Sequence, residues 1–356
     1  IEDIAASIKT FKLNSKTEIH VAETDNRLVN YLNDRTSHFR VLVIQYKTII
    51  AFKVIITLVM LVIGTYLLVN QQLNIGAFIA TEIVVLTIMT AVEKLIISLE
   101  SYYDVIAALA KLNKVTDLPE EEMGAIAFEN QNSGFEIEFK EVNFAFNDYQ
   151  MILENVNFKI AENSLNVITG SLGAGKSLLL NMMTSFYEPS SGRILIDKIP
   201  LINVDKISLR NQIGMFLEDM TIIKGTVYEN IVLGQTHISA EQILEISEEI
   251  GVDDFSSQFS NGFFTKISET DTEISFSSKK KIMLLRALVG ERRLLILEDP
   301  LDGMDDAFKI KMREHLSNLK ENTTVIVVSE DPEMIEIADQ HLHIEEGTVK
   351  ILFNKN

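Results

Sequence analysis

Eight residues, Gly170 to Ser177, read GSLGAGKS and fit the spacing G-x-x-x-x-G-K-[ST], which holds phosphate. The glycines at 170, 173 and 175 let the backbone curl, so that the N–H groups of Gly170, Ser171, Leu172, Gly173, Ala174 and Gly175 can converge on an anion at a helix start. Lys176 then reaches the β- and γ-phosphates of a nucleotide, and Ser177 sets its hydroxyl on Mg²⁺.

Such a loop works only between a buried strand and a helix. Leu165–Thr169 (LNVIT) is short and β-branched, and Leu178–Phe186 is apolar with no breaker, so both neighbours are predicted. Upstream, FEIEFKEVNFAF from Phe135 and MILENVNFKI from Met151 alternate as strands do. An α/β nucleotide-binding domain over 135–356 follows from this pattern.

The 356 residues allow about two domains. With no cysteine, disulfides, thiol catalysis and cysteine-bound metal are excluded. Residues 1–116 carry 11 Lys and Arg against 10 Asp and Glu, leaving 21 against 41 for the rest. So acidic a second half argues against nucleic acid as a partner, which needs an extended basic surface. Because the sequence begins on Ile1 and not Met, a fragment or processed form is expected.

The first half reads as membrane. Ile49–Val69 holds one charge, Lys53, and at 1.5 Å per residue spans about 31 Å, a bilayer core. Ile75–Leu99 is a second apolar run, broken by Glu82 and the pair Glu93–Lys94. The loop Asn70–Asn74 is uncharged, whereas Lys9, Lys12, Lys16, Arg27, Arg35, Arg40 and Lys47 precede the first run, which puts both chain ends in the cytosol. Glu82 should face a bundle interior or a water-filled cavity, either pairing with a neighbouring helix or touching a substrate. The expected division is a helical extension over 1–48, transmembrane helices over 49–112, and a polar linker over 113–134.

The order of membrane hairpin, linker, strands, phosphate loop and YEPSSGRILID (Tyr187–Asp197) resembles the C-terminal part of an ABC exporter half-transporter. The resemblance covers the whole chain. It implies a helical membrane segment with two transmembrane helices, the fifth and sixth of six, followed by an α/β P-loop ABC nucleotide-binding domain. It further implies ATP and Mg²⁺ as cofactors, a second half-transporter as homo- or heterodimeric partner, and a multi-pass place in the inner or plasma membrane with the nucleotide-binding domain cytoplasmic. Glu2–Lys12 resembles the end of the fourth helix, and Phe11–Val21 would hold a coupling helix or a plain helical extension. Phe146 stands where the family stacks an aromatic on adenine, although a lone aromatic on a strand also suits a core.

By the same resemblance, IKGTVYENI (Ile223–Ile231) follows a glutamine loop, KKKIMLLRALV (Lys279–Val289) follows the signature, and LLILEDPLDGMD (Leu294–Asp305) is Walker B with the catalytic position and D-loop. Against the family pattern, Glu298 then Asp299 stand where Asp then Glu are usual. Glu298 can hold Mg²⁺ through water, while Asp299 as base is one methylene short, and a displacement of about 1 Å can cost on the order of 100-fold in rate. Ile274–Ser278 (ISFSS) replaces LSGGQ, with Ser275 keeping the hydroxyl for a partner's γ-phosphate and Phe276 replacing a glycine. Glu218 stands for the loop glutamine and Glu330 for the switch histidine. A carboxylate 4 Å from the γ-phosphate repels it by about 4 kcal/mol at an effective dielectric near 20, so each must protonate, bind Mg²⁺ or keep away. Two functions are expected: an exporter subunit with weak or asymmetric hydrolysis, or a subunit that binds ATP to hold or regulate a dimer.

Overall fold

The computed structural model describes residues 12–13, 18–129, 131–146, 151–235, 237–252, 259–268 and 274–355. Of Glu2–Lys12, residues 2–11 lie outside them, as do residues 11 and 14–17 of Phe11–Val21. The chain forms two units, residues 1–120 and 121–356.

The first unit is a helical hairpin, α1 (Glu18–Val69) and α2 (Ile75–Thr116). At 52 and 42 residues they run about 78 and 63 Å, so each overruns the apolar run expected for it. Both are long and apolar enough to cross a membrane. Asn74 caps α2 by accepting from the Ala77 N–H at 2.7 Å, which turns the chain back after the uncharged loop. Lys53 pairs with Glu93 across the hairpin. A side chain at Gly64 would meet the Phe78 ring at 2.1 Å, so the helices touch closely there. Glu82 sits half-buried between turns whose other faces are exposed apolar residues.

The second unit contains β1 (Ile137–Ala145), β2 (Met151–Ile160), β3 (Leu165–Gly170), α3 (Lys176–Met183), β4 (Ser191–Ile196), β5 (Ile199–Pro200), α4 (Lys206–Arg210) and β6 (Ile213–Phe216). It continues with β7 (Gly225–Thr226), α5 (Val227–Val232), α6 (Ala240–Glu249), β8 (Lys266–Ile267), α7 (Phe276–Leu288) and β9 (Leu294–Glu298). Last come α8 (Asp306–Leu319), β10 (Thr324–Val328), α9 (Pro332–Ile337), β11 (Gln340–Glu345) and β12 (Thr348–Asn354). One sheet is antiparallel, β2-β1-β4-β5, and the other has the order β12-β11-β3-β10-β9-β6, parallel except for β12.

Alternation explains why the central strands are apolar throughout. On β9, Leu295 and Leu297 enter one core under the helices, and Leu294 and Ile296 enter a second core against the antiparallel sheet. Val325 and Val327 on β10 divide from Ile326 and Val328 in the same way. Strands wetted on neither face need apolar residues on both. The polar stretch 113–134 is divided: 113–116 extend α2, and from Glu121 the chain is part of the second unit. There Ile126 exchanges backbone hydrogen bonds with Asn203 and Asp205, and Phe128 packs 4.9 Å from Phe135, because these apolar residues interrupt an otherwise polar run.

Candidate nucleotide-binding site

The loop from Gly170 to Ser177 leaves the fully buried β3 and enters α3, as the spacing requires. Gly170 permits no side chain, since a Cβ would lie 2.3 Å from the Ile344 carbonyl oxygen. Gly175 caps α3 at φ 100°, which opens the first turn toward the loop. Leu172 at the tip is wholly exposed, and the Ala174 N–H returns to the Ser171 carbonyl at 3.2 Å. Lys176 Nζ donates to the carbonyls of Gly170 at 2.6 Å and Ser171 at 3.1 Å, which folds the ammonium over the ring of N–H groups.

Ser177 Oγ donates to Glu298 Oε1, and Glu298 Oε2 accepts from the Glu218 N–H at 3.3 Å. Residues 121 positions apart thus meet because β3 and β9 flank β10 in one sheet. Hydroxyl and carboxylate are hard-oxygen ligands suited to Mg²⁺. Glu218 itself is exposed and takes part through its backbone.

Asp299 follows at φ 43°, a left-handed position that Asp tolerates. Burial, with the charges of Glu218 and Glu298, pushes its carboxyl above the ordinary value, against the pull of Lys176 and Lys280. Lys280, buried on α7, donates to the carbonyl oxygens of Asp299 at 2.8 Å and Asp302 at 2.6 Å. Its own pKa is lowered, chiefly by burial. Glu330, at the end of β10, accepts from the Gly170 N–H at 3.0 Å through Oε1. A carboxylate therefore holds one of the N–H groups that the loop would offer to phosphate.

Residues 153–302 match the family described as ABC transporter. The second unit therefore carries an ABC transporter domain. It is similar to the alpha-hemolysin translocation ATP-binding protein HlyB of Escherichia coli O157:H7, 28% identical over 365 residues that take in 100% of this chain and 51% of that protein. It is also similar to the fatty acid ABC transporter ATP-binding/permease protein of Mycobacterium bovis, 30% identical over 68% of this chain and 38% of that protein. The chain thus spans about half or less of the length of these curated relatives. Its fold matches a bacterial Atm1-family ABC exporter solved with ATP bound, at a TM-score of 0.86 and 20% identity over 98% of this chain and 62% of that one.

In the second unit, Lys176, Ser177, Glu298, Asp299 and Glu330 gather at the ends of β3, β9 and β10. Ser275 stands apart from this group: as N-cap of α7 it accepts from the Ser278 N–H at 3.0 Å and shares a hydroxyl contact with Ser278 at 2.8 Å. Phe276 beside it is 78% exposed. Phe146 is exposed too, and meets Phe144 and Tyr187 edge-on at 5.0 and 5.6 Å. Tyr187 and Lys280 were not legible as site residues. The first enters through a contact across 41 positions, and the second lies in a run, Lys279–Lys281, that reads as a solvated helix face.

Proposed function

We propose that this chain is the ATP-binding subunit of an ABC-type membrane exporter, in which ATP binding and dimer closure drive substrate movement and hydrolysis is weak or asymmetric. The observation that carries the reading is the apposition of Ser177 and Glu298 beneath an intact phosphate loop; by the family resemblance Asp299 and Glu330 would take the hydrolytic positions. On binding, Lys176 exchanges the carbonyls of Gly170 and Ser171 for the β- and γ-phosphates, and the loop N–H groups take the remaining phosphate oxygens. Ser177 and Glu298 would hold Mg²⁺, which when bound neutralises phosphate charge. Phe146 offers a face for adenine. Ser275, exposed with Phe276, faces the second half-transporter, a homo- or heterodimeric partner, and the hairpin lies in the lipid bilayer of the inner or plasma membrane with the domain on the cytoplasmic side.

A binding-only subunit is the second reading. The pinning of Asp299 by Lys280 favours it, since the carbonyls of Asp299 and Asp302 fix the backbone that a general base must aim. Steady-state ATP turnover in the native dimer, with Lys176→Ala as control, separates the readings. Turnover abolished by the substitution supports the exporter subunit, and binding without turnover supports the second. For topology, a cysteine at Gln72 should react with an impermeant maleimide in intact cells while one at Ser133 should not, and the reverse pattern would overturn the orientation.

A further inference from the structure

Directly behind the phosphate loop, Thr169 on β3 faces two histidines of β11. Its Oγ1 lies 2.8 Å from His341 Nε2 and 2.9 Å from His343 Nδ1. A hydroxyl has one proton to give, so it can donate to one ring while the other ring must donate to it. The bridge therefore has a ready place for one more proton: the accepting ring takes it up, becomes a donor, and Thr169 turns to accept from both. Thr169 itself precedes Gly170, whose N–H is held by Glu330. The bridge, the first residue of the loop and the carboxylate at the switch position are thus joined within two residues of chain.

We propose that the His341–Thr169–His343 bridge positions a proton beside Glu330 and so sets the affinity of the phosphate loop for ATP, an inference that rests on the nucleotide reading above. The charged groups on the packed elements define how it can act. His341 is buried, its ring edge-on to Phe353 at 5.6 Å; burial and then His343 lower its pKa, against the pull of the Glu330 carboxylate, so the resting ring is held neutral and a proton enters only when further negative charge arrives. His343 stands opposite Lys350 on β12, and Lys350 is taken by Glu345 at 2.7 Å. Lys355 lies over Phe353. On the side of α9, Asp331 and Glu333 are both held by Arg313, and the Glu336 carbonyl by Lys355. Lys176 is engaged with the loop carbonyls. Glu330 has no ion pair among the described residues, and its charge reaches the bridge at His341.

With the histidines neutral, Glu330 opposes the γ-phosphate. With one proton on the bridge, that charge is offset and the carboxylate can release the Gly170 N–H to the nucleotide. Affinity for Mg²⁺-ATP should then rise as pH falls through the histidine range.

The test uses the full 356-residue chain in lipid nanodiscs, with Mg²⁺-ATP binding followed by calorimetry between about pH 8 and about pH 6 in two buffers of different protonation enthalpy. The parent should gain about tenfold in affinity over that range and take up protons on binding. In the double variant His341→Gln, His343→Asn, the amides keep hydrogen bonds at the Nε2 and Nδ1 positions without titrating. Its affinity should stay near the parent's value at high pH, with proton uptake lost. Glu330→Gln keeps an acceptor for Gly170 and should bind more tightly at high pH with a flat profile. A parent with no pH slope, or a slope shared by the double variant, overturns the inference and leaves the nucleotide reading standing. Absence of binding at every pH, in parent and variants alike, overturns the nucleotide reading and this inference with it.

Discussion

Two sides of the site differ in how their polar groups are used. On the cradle side, Lys176, Ser177 and Glu298 partner one another or backbone, and each could exchange its present contact for phosphate or metal without leaving a buried group unpaired. On the rim, Asp299 is raised in pKa by burial and by two other carboxylates, its carbonyl is pinned by Lys280, and Glu330 occupies a loop N–H. Binding rests on the cradle, because phosphate affinity comes from fixed N–H groups and a cation, and Glu330 tunes it by holding one of those N–H groups. Turnover needs the rim, where a base must sit within hydrogen-bond reach of the attacking water. The difference teaches that the two capacities can be separated within one fold.

The strongest way to break this contrast is to rebuild the rim. Asp299→Glu, Glu330→His and Phe276→Gly combined should raise kcat on the order of 100-fold, since Asp299 and Phe276 act on the transition state more than on bound ATP, and KM should fall as the Glu330 charge is removed. Single changes should give less than their share, because the groups act as a unit. A parent turning over at roughly 1 s⁻¹, matched by the triple variant, would show that the rim works by another arrangement. On the cradle, Lys176→Ala should weaken ATP binding by about 2 kcal/mol, close to 30-fold, in calorimetry on the full chain. Equal affinity in variant and parent would move the phosphates elsewhere.

Smaller effects sharpen the picture. Phe146→Ala should cost about 1 kcal/mol of nucleotide affinity, roughly fivefold, if adenine stacks there, with ATP and triphosphate alone compared to isolate the base. No difference between the two would return Phe146 to the aromatic cluster with Phe144 and Tyr187 as a packing residue. The smallest effect is on stability without nucleotide. Because the Asp299 carboxyl is held above its ordinary 3.8, the folded state favours its protonated form, and its charge costs stability once pH exceeds the raised value. Asp299→Asn, which tolerates the same backbone, should therefore raise Tm by about 2 °C near neutral pH, with the gain fading as pH falls through the raised pKa. A gain constant across that range would assign the effect to packing.

By itself, the sequence determined the parts whose geometry is local. Gly170 to Ser177 places a strand, an anion loop and a helix in eight residues, because glycine spacing and the chain's own curl decide that shape. Alternating and β-branched runs likewise located β1, β2 and β3, and two long apolar runs located the hairpin. Continuity was less legible: the expected extension and the first apolar run join without a break as α1, and α2 runs on to Thr116, since exposed helix needs no apolar pattern. The tertiary structure alone decided what meets what. The crossover order β11-β3-β10-β9 sets side by side the ends of strands far apart in sequence. Ser177 reaches Glu298 by that order, Glu330 reaches Gly170, and Thr169 lies between two histidines. Lys280 turned inward for a related reason: the carbonyls of Asp299 and Asp302 meet its ammonium where helix and strand end pack, a pairing that no local periodicity records.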